Sequence, residues 1–182
     1  MNKFFGHLKT ITTHRHAVIR HAFKAGIGFQ GLFHDLSKYS PTEFVPGVKY
    51  YQGTRSPNER EREIFGYSMA WMHHKGRNRH HYEYWTDYPP TGGPLAPIEM
   101  PPCYLAEMFC DRVAASKTYK KELYTDASPL EYFLTTKEKQ LMHPKTEETL
   151  LLLLTMLRDR GEANTFAYIR DNILKHTKNK PK

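Results

Sequence analysis

The sequence predicts an all-α fold in a single domain. The chain has 182 residues, which is enough for one compact domain with a proper core. Apolar residues recur at helical spacing over long segments, and no segment alternates between apolar and polar residues as a half-buried strand does. The chain has no internal repeat and no linker. We therefore expect one helical bundle over residues 1–182, in which residues 7–122 carry the functional motifs and residues 128–177 form C-terminal helices.

Four helices are predicted in the first half of the chain. The first has apolar residues such as Leu8 and Ile11 at helical spacing, and Gly26 follows its last residue. The second is short and is stopped by the proline that follows Ser40. Ser40 and Glu43 have the spacing of a capping box, which starts the third helix. The expected bounds are 3–25, 31–38, a short helix that begins at Ser40, and 59–75, with a loop over residues 50–58.

The second half of the chain begins with a predicted surface loop near a site, because residues 88–102 contain six prolines and two glycines. Four helices follow this loop. In the first of them Asp111 is surrounded by small residues, and Gly161 separates the last two. The expected bounds are 104–121, 129–142, 144–160 and 163–176.

The composition favours an anionic partner. The chain carries 27 lysine and arginine residues against 19 aspartate and glutamate residues, a formal charge of +8. This charge attracts a nucleotide, a nucleic acid or a phosphorylated metabolite. The two cysteines, Cys103 and Cys110, cannot form a disulfide framework or a cysteine-based zinc motif. The N-terminus lacks a signal-peptide pattern and the longest apolar run, residues 150–154, is too short to cross a bilayer, so we expect a cytoplasmic protein that does not bind membranes.

The adjacent pair His34 and Asp35 is the strongest indication of a functional site. Leu32, Phe33 and Leu36 surround the pair, and so much apolar sequence predicts that it is at least partly buried. Burying an aspartate beside a histidine is costly unless a cation or a hydrogen-bond network compensates for the lost water. A metal ion would supply that compensation, so the pair is predicted to bind a metal. The alternative is a helix-capping aspartate beside a surface histidine.

Two further residues complete a predicted set of four ligands from three helices. His14 lies beside the apolar stripe of the first helix, whereas His16 faces the opposite side. Imidazole and carboxylate ligands without a thiolate suit Mn, Fe, Co, Ni, Mg or Zn. The alternatives are a hydrogen-bonded core histidine at His14 and a buried salt bridge at Asp111. The predicted metal ligands are therefore His14, His34, Asp35 and Asp111.

Four more histidines cluster in a second segment, at positions 73, 74, 80 and 81. A separation of seven residues equals two helical turns, so one histidine of each pair faces inward if the helix resumes after Gly76. We favour His74 and His81 as further metal ligands, and the other member of each pair is the alternative. At least one of the four is expected to stack on a neighbouring tryptophan instead.

This pattern of residues resembles the HD-domain superfamily of metal-dependent phosphohydrolases, over residues 14–118. The order of His, His-Asp and Asp on helices is similar to the order of ligands in that superfamily. The likeness is carried by His14-Arg-His-Ala-Val18, Leu32-Phe-His-Asp-Leu-Ser-Lys38 and Cys110-Asp-Arg-Val-Ala-Ala115. The whole pattern also resembles an uncharacterised HD-like family.

The resemblance implies an HD-like helical domain with one or two divalent metal ions per chain. Some HD proteins bind a second metal through histidines between the His-Asp pair and the last aspartate, which is where His74 and His81 fall. His80-His81 followed by Glu83 resembles a stretch of the two-metal cyclic-dinucleotide phosphodiesterases, but the Gly-Tyr-Pro signature of that group is absent.

The expected activity is hydrolysis of a nucleotide or a similar small phosphate ester. Asp35 and Lys38 are the predicted catalytic residues: Asp35 bridges the two ions, and Lys38, one turn further on, binds the phosphate as a point charge. Arg77 and Arg79 are predicted to bind the substrate together with Lys38, and the alternative is that both arginines are solvated charges of a loop. Phosphomonoesters and phosphodiesters are equally compatible with this set of residues.

Two other functions are compatible with the pattern. A minority of HD proteins use two irons to activate dioxygen, and the histidine-rich segment suits iron, so one alternative is a di-iron oxygenase. The other is a module without catalytic activity that binds nucleic acid through its basic surface.

Overall fold

The computed structural model describes residues 2–175, and their fold is all-α, which confirms the predicted fold class. The α-helices are α1 (Lys3–Ala25), α2 (Gly28–Gly31), α3 (Pro41–Lys49), α4 (Pro57–Phe65), α5 (Met69–Lys75), α6 (Pro102–Lys120), α7 (Ser128–Thr136) and α8 (Pro144–Tyr168). Turns of 3-10 helix cover Leu36–Tyr39, Tyr82–Tyr84, Lys121–Leu123 and Lys137–Lys139, and a π-helical turn covers Ile169–Ile173. Two short strands, β1 (Thr86–Asp87) and β2 (Ala96–Pro97), pair antiparallel. Within residues 2–175, none of the helices combines the length and the apolar character that crossing a membrane requires.

A hydrophobic core holds α1, α6, α7 and α8 together. Helix α6 lies against α1 and against α8. Val18, Phe109 and Leu153 are fully buried in this core, and α7 adds Phe133 to it. Burial of apolar surface is the main favourable contribution to folding, so this core fixes how α1 and α6 lie relative to each other.

Helix α1 begins and ends as predicted. The Asn2 side chain caps it by accepting a hydrogen bond from the backbone N–H of Phe4 at 2.9 Å. At its other end Gly26 has φ 85°, a left-handed conformation that glycine adopts without steric cost. His14 is buried and His16 is exposed, which confirms the predicted faces of this helix.

The helix predicted over residues 31–38 does not form. Helix α2 ends at Gly31, and Asp35 has φ 54° and ψ 26°, a left-handed conformation that cannot continue a right-handed helix. A Cβ atom on Gly31 would lie 2.3 Å from the Cβ of Ala22, so only glycine lets α2 approach α1 this closely. The chain therefore presents Asp35 and its neighbour His34 from a tight turn against α1.

The capping box predicted for the third helix is also wrong. Helix α3 does begin next to Ser40, but the Ser40 side chain makes no capping hydrogen bond. Glu43 is directed away from the helix start, and its carboxylate accepts hydrogen bonds from the rings of His73 and His74. In a capping box the Glu43 side chain would accept a hydrogen bond from the backbone N–H of Ser40. Here it contacts α5 instead, so these tertiary contacts override the local motif.

A glycine divides the helix predicted over residues 59–75. Gly66 has φ 80°, so α4 ends there and α5 begins at Met69. Helix α4 itself begins at Pro57, inside the loop predicted over residues 50–58, because proline is favourable in the first helical turn.

One C-terminal bound differs from prediction and one break is confirmed. Helix α7 ends at Thr136 and not at residue 142, and the chain is extended at His143, as expected for a residue that precedes proline. Gly161 has φ 74° and ψ 173°, which lies outside the helical region, so it divides α8 into two helical segments, and this confirms the predicted break at Gly161. The predicted end of the last helix at His176, and the bound at 177, lie outside the described residues.

The leucine-rich part of α8 provides a test of the core. Replacing the fully buried Leu154 with alanine should lower the free energy of unfolding by about 2–5 kcal/mol, because the core cannot fill the cavity. The matched control is Leu152→Ala on the same helix, where the side chain is 45% exposed and the expected loss is about 1 kcal/mol or less. Urea denaturation of both variants measures the two values, and equal losses would contradict this description of the core.

A second test concerns His7, which is buried between α1 and α3. Its ring lies 5.3 Å from the ring of Phe44 and 5.9 Å from that of Tyr51, and its Nδ1 has no hydrogen-bond partner among the described residues. Burial, together with the charge of Lys38, lowers the pKa of His7 to about 4. A histidine whose pKa is lowered by folding contributes stability above its unfolded pKa and loses it as the pH falls.

Between pH 7 and pH 5, the native protein should therefore lose about 1–2 kcal/mol more of its unfolding free energy than the His7→Leu variant, which has no ring to protonate at this position. Denaturant titrations at a series of pH values measure this difference. Parallel curves of stability against pH for the two proteins would show that protonation of His7 is not coupled to folding.

Candidate metal centre

Seven side chains from α1, α5, α6 and the turns between them bring their ligand atoms together in two groups. In each group of four residues, the ligand atoms all lie within 4.8 Å of one another. We call these two groups site 1 and site 2, and Asp35 belongs to both. A third group of three residues, His34, His80 and Glu107, shares one histidine with each site. Site 1 consists of His14, His34, Asp35 and Asp111, and site 2 consists of Asp35, His74, His80 and His81.

Arg15 holds the tight turn that carries two of these ligands. Its guanidinium donates hydrogen bonds to the backbone carbonyls of Leu32 and His34, the latter at 3.1 Å. Arg15 follows His14 in α1, so the same helix supplies one ligand and fixes the turn that supplies two more. The left-handed backbone of Asp35 is uncommon for a residue other than glycine, and such a conformation persists only where surrounding contacts determine it.

Glu107 on α6 orients one histidine of each site. Its Oε1 lies 2.9 Å from Nδ1 of His34 and 3.3 Å from Nδ1 of His80. Gln30 donates a hydrogen bond to the other oxygen of this carboxylate. Asp111 follows Glu107 by four residues and lies on the same face of α6. An Nδ1–H bond to a carboxylate leaves Nε2 as the free nitrogen, which is the usual arrangement of a metal-binding histidine.

Glu43 on α3 performs the corresponding task at site 2. Its two oxygens each accept a hydrogen bond at 2.7 Å, one from Nδ1 of His74 and one from Nδ1 of His73. His74 is thereby held with its Nε2 directed at Asp35, at a distance of 3.3 Å from Oδ1. His73 uses its ring for this contact and belongs to neither site.

The atoms that face one another inside the centre lack hydrogen-bond partners. Among the described residues, this is true of Oδ1 of Asp35 and of the Nε2 atoms of His34, His74, His80 and His81, all of which are buried, whereas Oδ2 of Asp35 pairs with the ammonium of Lys38. Buried polar atoms are rarely left without a partner, so an unpartnered set that converges on one place calls for a further ligand. Imidazole nitrogens and carboxylate oxygens together are the donor set of a divalent metal ion. The buried groups of this centre could therefore hold a metal ion.

The distances around Asp35 fit shared coordination. Oδ2 lies 3.3 Å from Nε2 of His34 in site 1, whereas Oδ1 lies 3.3 Å from Nε2 of His74 and 3.4 Å from Nε2 of His80 in site 2. Two atoms that bind one ion at roughly 2.0–2.2 Å lie roughly 3–3.5 Å apart. Each oxygen of Asp35 therefore faces a different site.

The electrostatics of the centre favour a cation. Burial alone would raise the pKa of Asp35, but the charges of His34 and Lys38 hold it well below its usual range. Burial acts in the same way on Asp111, where the hydrogen bond with His14 and the charge of the nearby His34 ring lower the pKa. For His34 burial acts in the opposite direction, yet the charge of Asp35 raises its pKa above the usual value. These shifts mean that the carboxylates keep their negative charge and stabilise positive charge beside them.

The structure brings together all six metal ligands that the sequence predicts. His14, His34, Asp35 and Asp111 share site 1, and His74 and His81 share site 2. The alternatives weighed for two of them hold in part as contacts. Nε2 of His14 donates a hydrogen bond to Oδ1 of Asp111 at 2.9 Å, and the ring of His81 packs 4.8 Å from that of Trp71. Leu32, Phe33 and Leu36 are exposed, however, so α1, α5 and α6 bury the His-Asp pair and its apolar neighbours do not.

The three predicted substrate-binding cations have different surroundings. Lys38 lies within the centre, with its ammonium 2.5 Å from Oδ2 of Asp35. Arg77 is exposed and contacts the backbone carbonyl of His73. Arg79 is exposed too, and its guanidinium lies over the rings of Tyr84 and Tyr104. None of these contacts of the two arginines involves a residue of site 1 or site 2.

Sequence reasoning missed two residues of the centre, Glu43 and Glu107, and it kept His80 only as the alternative to His81. A continuous helix cannot turn both His80 and His81 inward. The chain instead leaves the helix after Gly76, and the two adjacent rings lie 4.2 Å apart, both at site 2. The His-His pair itself was the available signal. Nothing in the local sequence distinguishes the two glutamates from surface carboxylates.

Comparison with known proteins gives a family and no function. A family model described as a family of unknown function, DUF5662, matches residues 3–156. This range contains every residue of sites 1 and 2 together with Arg15, Lys38, Glu43 and Glu107. No curated protein and no solved structure matches the chain.

The metal centre predicts a specific pattern of metal content. Purified protein dialysed against Mn²⁺ should retain bound metal, and His14→Gln should lose a large part of it, because the variant removes a ligand of site 1. The matched control is His16→Gln, which changes an exposed histidine two residues away on the same helix and should retain metal as the native protein does. Elemental analysis measures the ions per chain. Equal metal content in the two variants would remove His14 from the ligand set.

Proposed function

The chain belongs to the DUF5662 family of unknown function, and from the geometry of its metal centre we propose that it is a metal-dependent phosphohydrolase acting on a nucleotide or a similar small phosphate ester. The observation that carries this proposal is the pair of ligand groups that share Asp35, with the ammonium of Lys38 at the same carboxylate. Hydrolysis of a phosphate ester needs an activated water, neutralisation of the phosphoryl charge and a bound, oriented substrate. The residues of the centre can meet each of these needs.

Asp35 is the residue that would hold two ions together. One of its oxygens faces site 1 and the other faces site 2, so a single carboxylate could bind an ion through each. Divalent ions held in this way polarise a phosphoryl oxygen and lower the pKa of a water molecule, which is the chemistry that two-metal hydrolases use. The role of the protein is to hold the ligands in position. Arg15, Glu107 and Glu43 do this from outside the two sites.

Lys38 is the residue best placed to bind the phosphoryl group. Burial alone would lower its pKa, but the charges of Asp35 and Asp111 raise it, so the ammonium remains protonated at neutral pH. Its side chain is 29% exposed and that of Asp111 is 18% exposed, whereas Asp35 is almost fully buried. A substrate would therefore reach the centre from the side of Lys38 and Asp111. Lys38 would act there as a point charge on a phosphoryl oxygen.

The HD-domain resemblance supports the same class of reaction. The residues that carry it, from His14 through the His34-Asp35 pair to Asp111, are also the residues of site 1. Substrate binding by Arg77 and Arg79 stays a prediction, and it requires these exposed side chains to leave their present contacts. Nucleic acid stays a possible ligand of the basic surface, without a contact that favours it.

One observation favours a second function, that of a di-iron oxygenase. Site 2 offers three imidazoles and one carboxylate, a donor set that suits iron. The two functions differ in metal and in co-substrate. Two irons per chain with turnover that consumes dioxygen would favour the oxygenase, whereas hydrolysis in the absence of dioxygen would favour the phosphohydrolase.

The proposal is tested by a screen of phosphomonoesters, phosphodiesters and nucleotides with Mn²⁺, Co²⁺, Mg²⁺ or Ni²⁺. For a substrate found in this way, Lys38→Met should lower kcat/KM by about 100-fold while the metal content stays unchanged, because a charge at the phosphoryl group is lost and no ligand is. The control is Lys49→Met, since the exposed ammonium of Lys49 lies over the ring of Tyr50, away from the centre. No hydrolysis with any metal, or equal rates for the two variants, would contradict the proposed role of this chain or of Lys38.

A further inference from the structure

Glu107 differs from the other buried carboxylates near the metal centre in what it connects. It is buried on α6, and one of its oxygens, Oε1, contacts both Nδ1 of His34 and Nδ1 of His80. His34 is a ligand of site 1 and His80 is a ligand of site 2. The two rings lie side by side, with centroids 4.4 Å apart.

We propose that Glu107 is a positioning residue common to both sites, so that the two metal ions depend on one carboxylate. The inference rests on the two-ion centre of the proposed function and adds a means by which that centre is assembled. Glu107 touches neither the ions nor the substrate. It acts through the two rings, by fixing which nitrogen carries the proton and where the free Nε2 of each ring points.

The physical basis is the geometry of a single acceptor atom. Nδ1 of His34 lies 2.9 Å from Oε1 and Nδ1 of His80 lies 3.3 Å from it, so when a metal takes the place of the Nε2 proton, each ring keeps its remaining proton on the nitrogen that faces Oε1. The rings share the acceptor, so any displacement of Oε1 displaces both Nε2 atoms. Gln30 holds Oε2 of the same carboxylate and restricts its rotation. The two sites are therefore coupled from outside, in addition to the bridge that Asp35 provides between them.

Glu43 provides a natural contrast. It is also buried, and it also accepts hydrogen bonds from two histidine rings, those of His73 and His74. Only His74 is a ligand, and it belongs to site 2. Glu43 therefore supports one site, whereas Glu107 supports two. The two glutamates thus form a matched pair: both are buried and contact two histidine rings, but they differ in how many sites those rings belong to.

The test is Mn²⁺ binding to the metal-free full-length chain, measured by calorimetry and by electron paramagnetic resonance. Glu43→Gln should lower the affinity of the chain for one of the two Mn²⁺ ions by about 10–100-fold and leave its affinity for the other close to the native value. Glu107→Gln should lower the affinity of the chain for both ions by about 10–100-fold. The resonance spectrum distinguishes these outcomes, since one remaining ion gives the signal of isolated Mn²⁺ and a filled pair gives a coupled signal.

A structural control separates positioning from general destabilisation. Glu61 is likewise a buried glutamate, and it accepts a hydrogen bond from Ser68, so Glu61→Gln should leave the binding of both ions unchanged. If Glu107→Gln fails to fold, as judged by circular dichroism, Gln30→Met replaces it. This variant removes the restraint on Glu107 and should weaken both ions in parallel by a smaller factor, about 3–10-fold.

Loss of only one ion, or of neither, in folded Glu107→Gln would overturn the inference, and so would an effect of Gln30→Met on a single ion. These readouts are independent of catalysis. A chain that hydrolyses no phosphate ester but loses both ions together would end the proposed function and leave the role of Glu107 intact.

Discussion

The burial of Asp35 among histidine rings is the constraint on which the rest of the structure depends. Asp35, His34 and His74 are almost completely buried. Removing a carboxylate from water is expensive unless a cation or several hydrogen bonds replace the lost hydration. Glu107 and Glu43 provide partners for the outer nitrogens of these rings, whereas the inner Nε2 atoms and Oδ1 of Asp35 face one another without hydrogen-bond partners. A cation between them is the compensation that this donor set favours.

Two kinds of contact hold these groups in place: apolar packing between helices, and polar contacts within the turn. The apolar core fixes α1 against α6, and this sets His14 of one helix 2.9 Å from Asp111 of the other. Polar contacts then determine the turn that carries the His-Asp pair, through the guanidinium of Arg15 and the close approach of Gly31 to α1. A ligand in a left-handed conformation needs both, because its backbone would relax if either the helix or the turn could move. The precise convergence of these side chains is therefore a consequence of helix packing.

The enclosure of the centre also bears on the proposed chemistry. His74, His80 and the shared Asp35 have almost no exposed surface, whereas Lys38 and Asp111 are partly exposed beside site 1 and His81 is half-buried at site 2. A small charged group such as a phosphoryl group suits this narrow approach better than an extended polymer. In a water-poor interior the charge of Lys38 acts on a bound anion more strongly than it would at the surface. Because the histidine rings are enclosed, their orientation is set by the buried glutamates and not by solvent.

The sequence by itself determined the helical class, the faces of α1 and the residue types of the centre. These follow from helical periodicity and from the cost of burying His34 beside Asp35, and both can be read locally. It also led to six of the seven ligands, since their order along the chain resembles a known pattern. Only the tertiary structure decided that the turn at Asp35 is left-handed, that the chain leaves its helix after Gly76 and turns His80 inward, and that Glu43 and Glu107 are acceptors for the rings. Glu107 lies 73 residues from His34, and Glu43 lies 31 residues from His74. Pairings over such distances depend on how helices pack, which no local spacing of residues encodes.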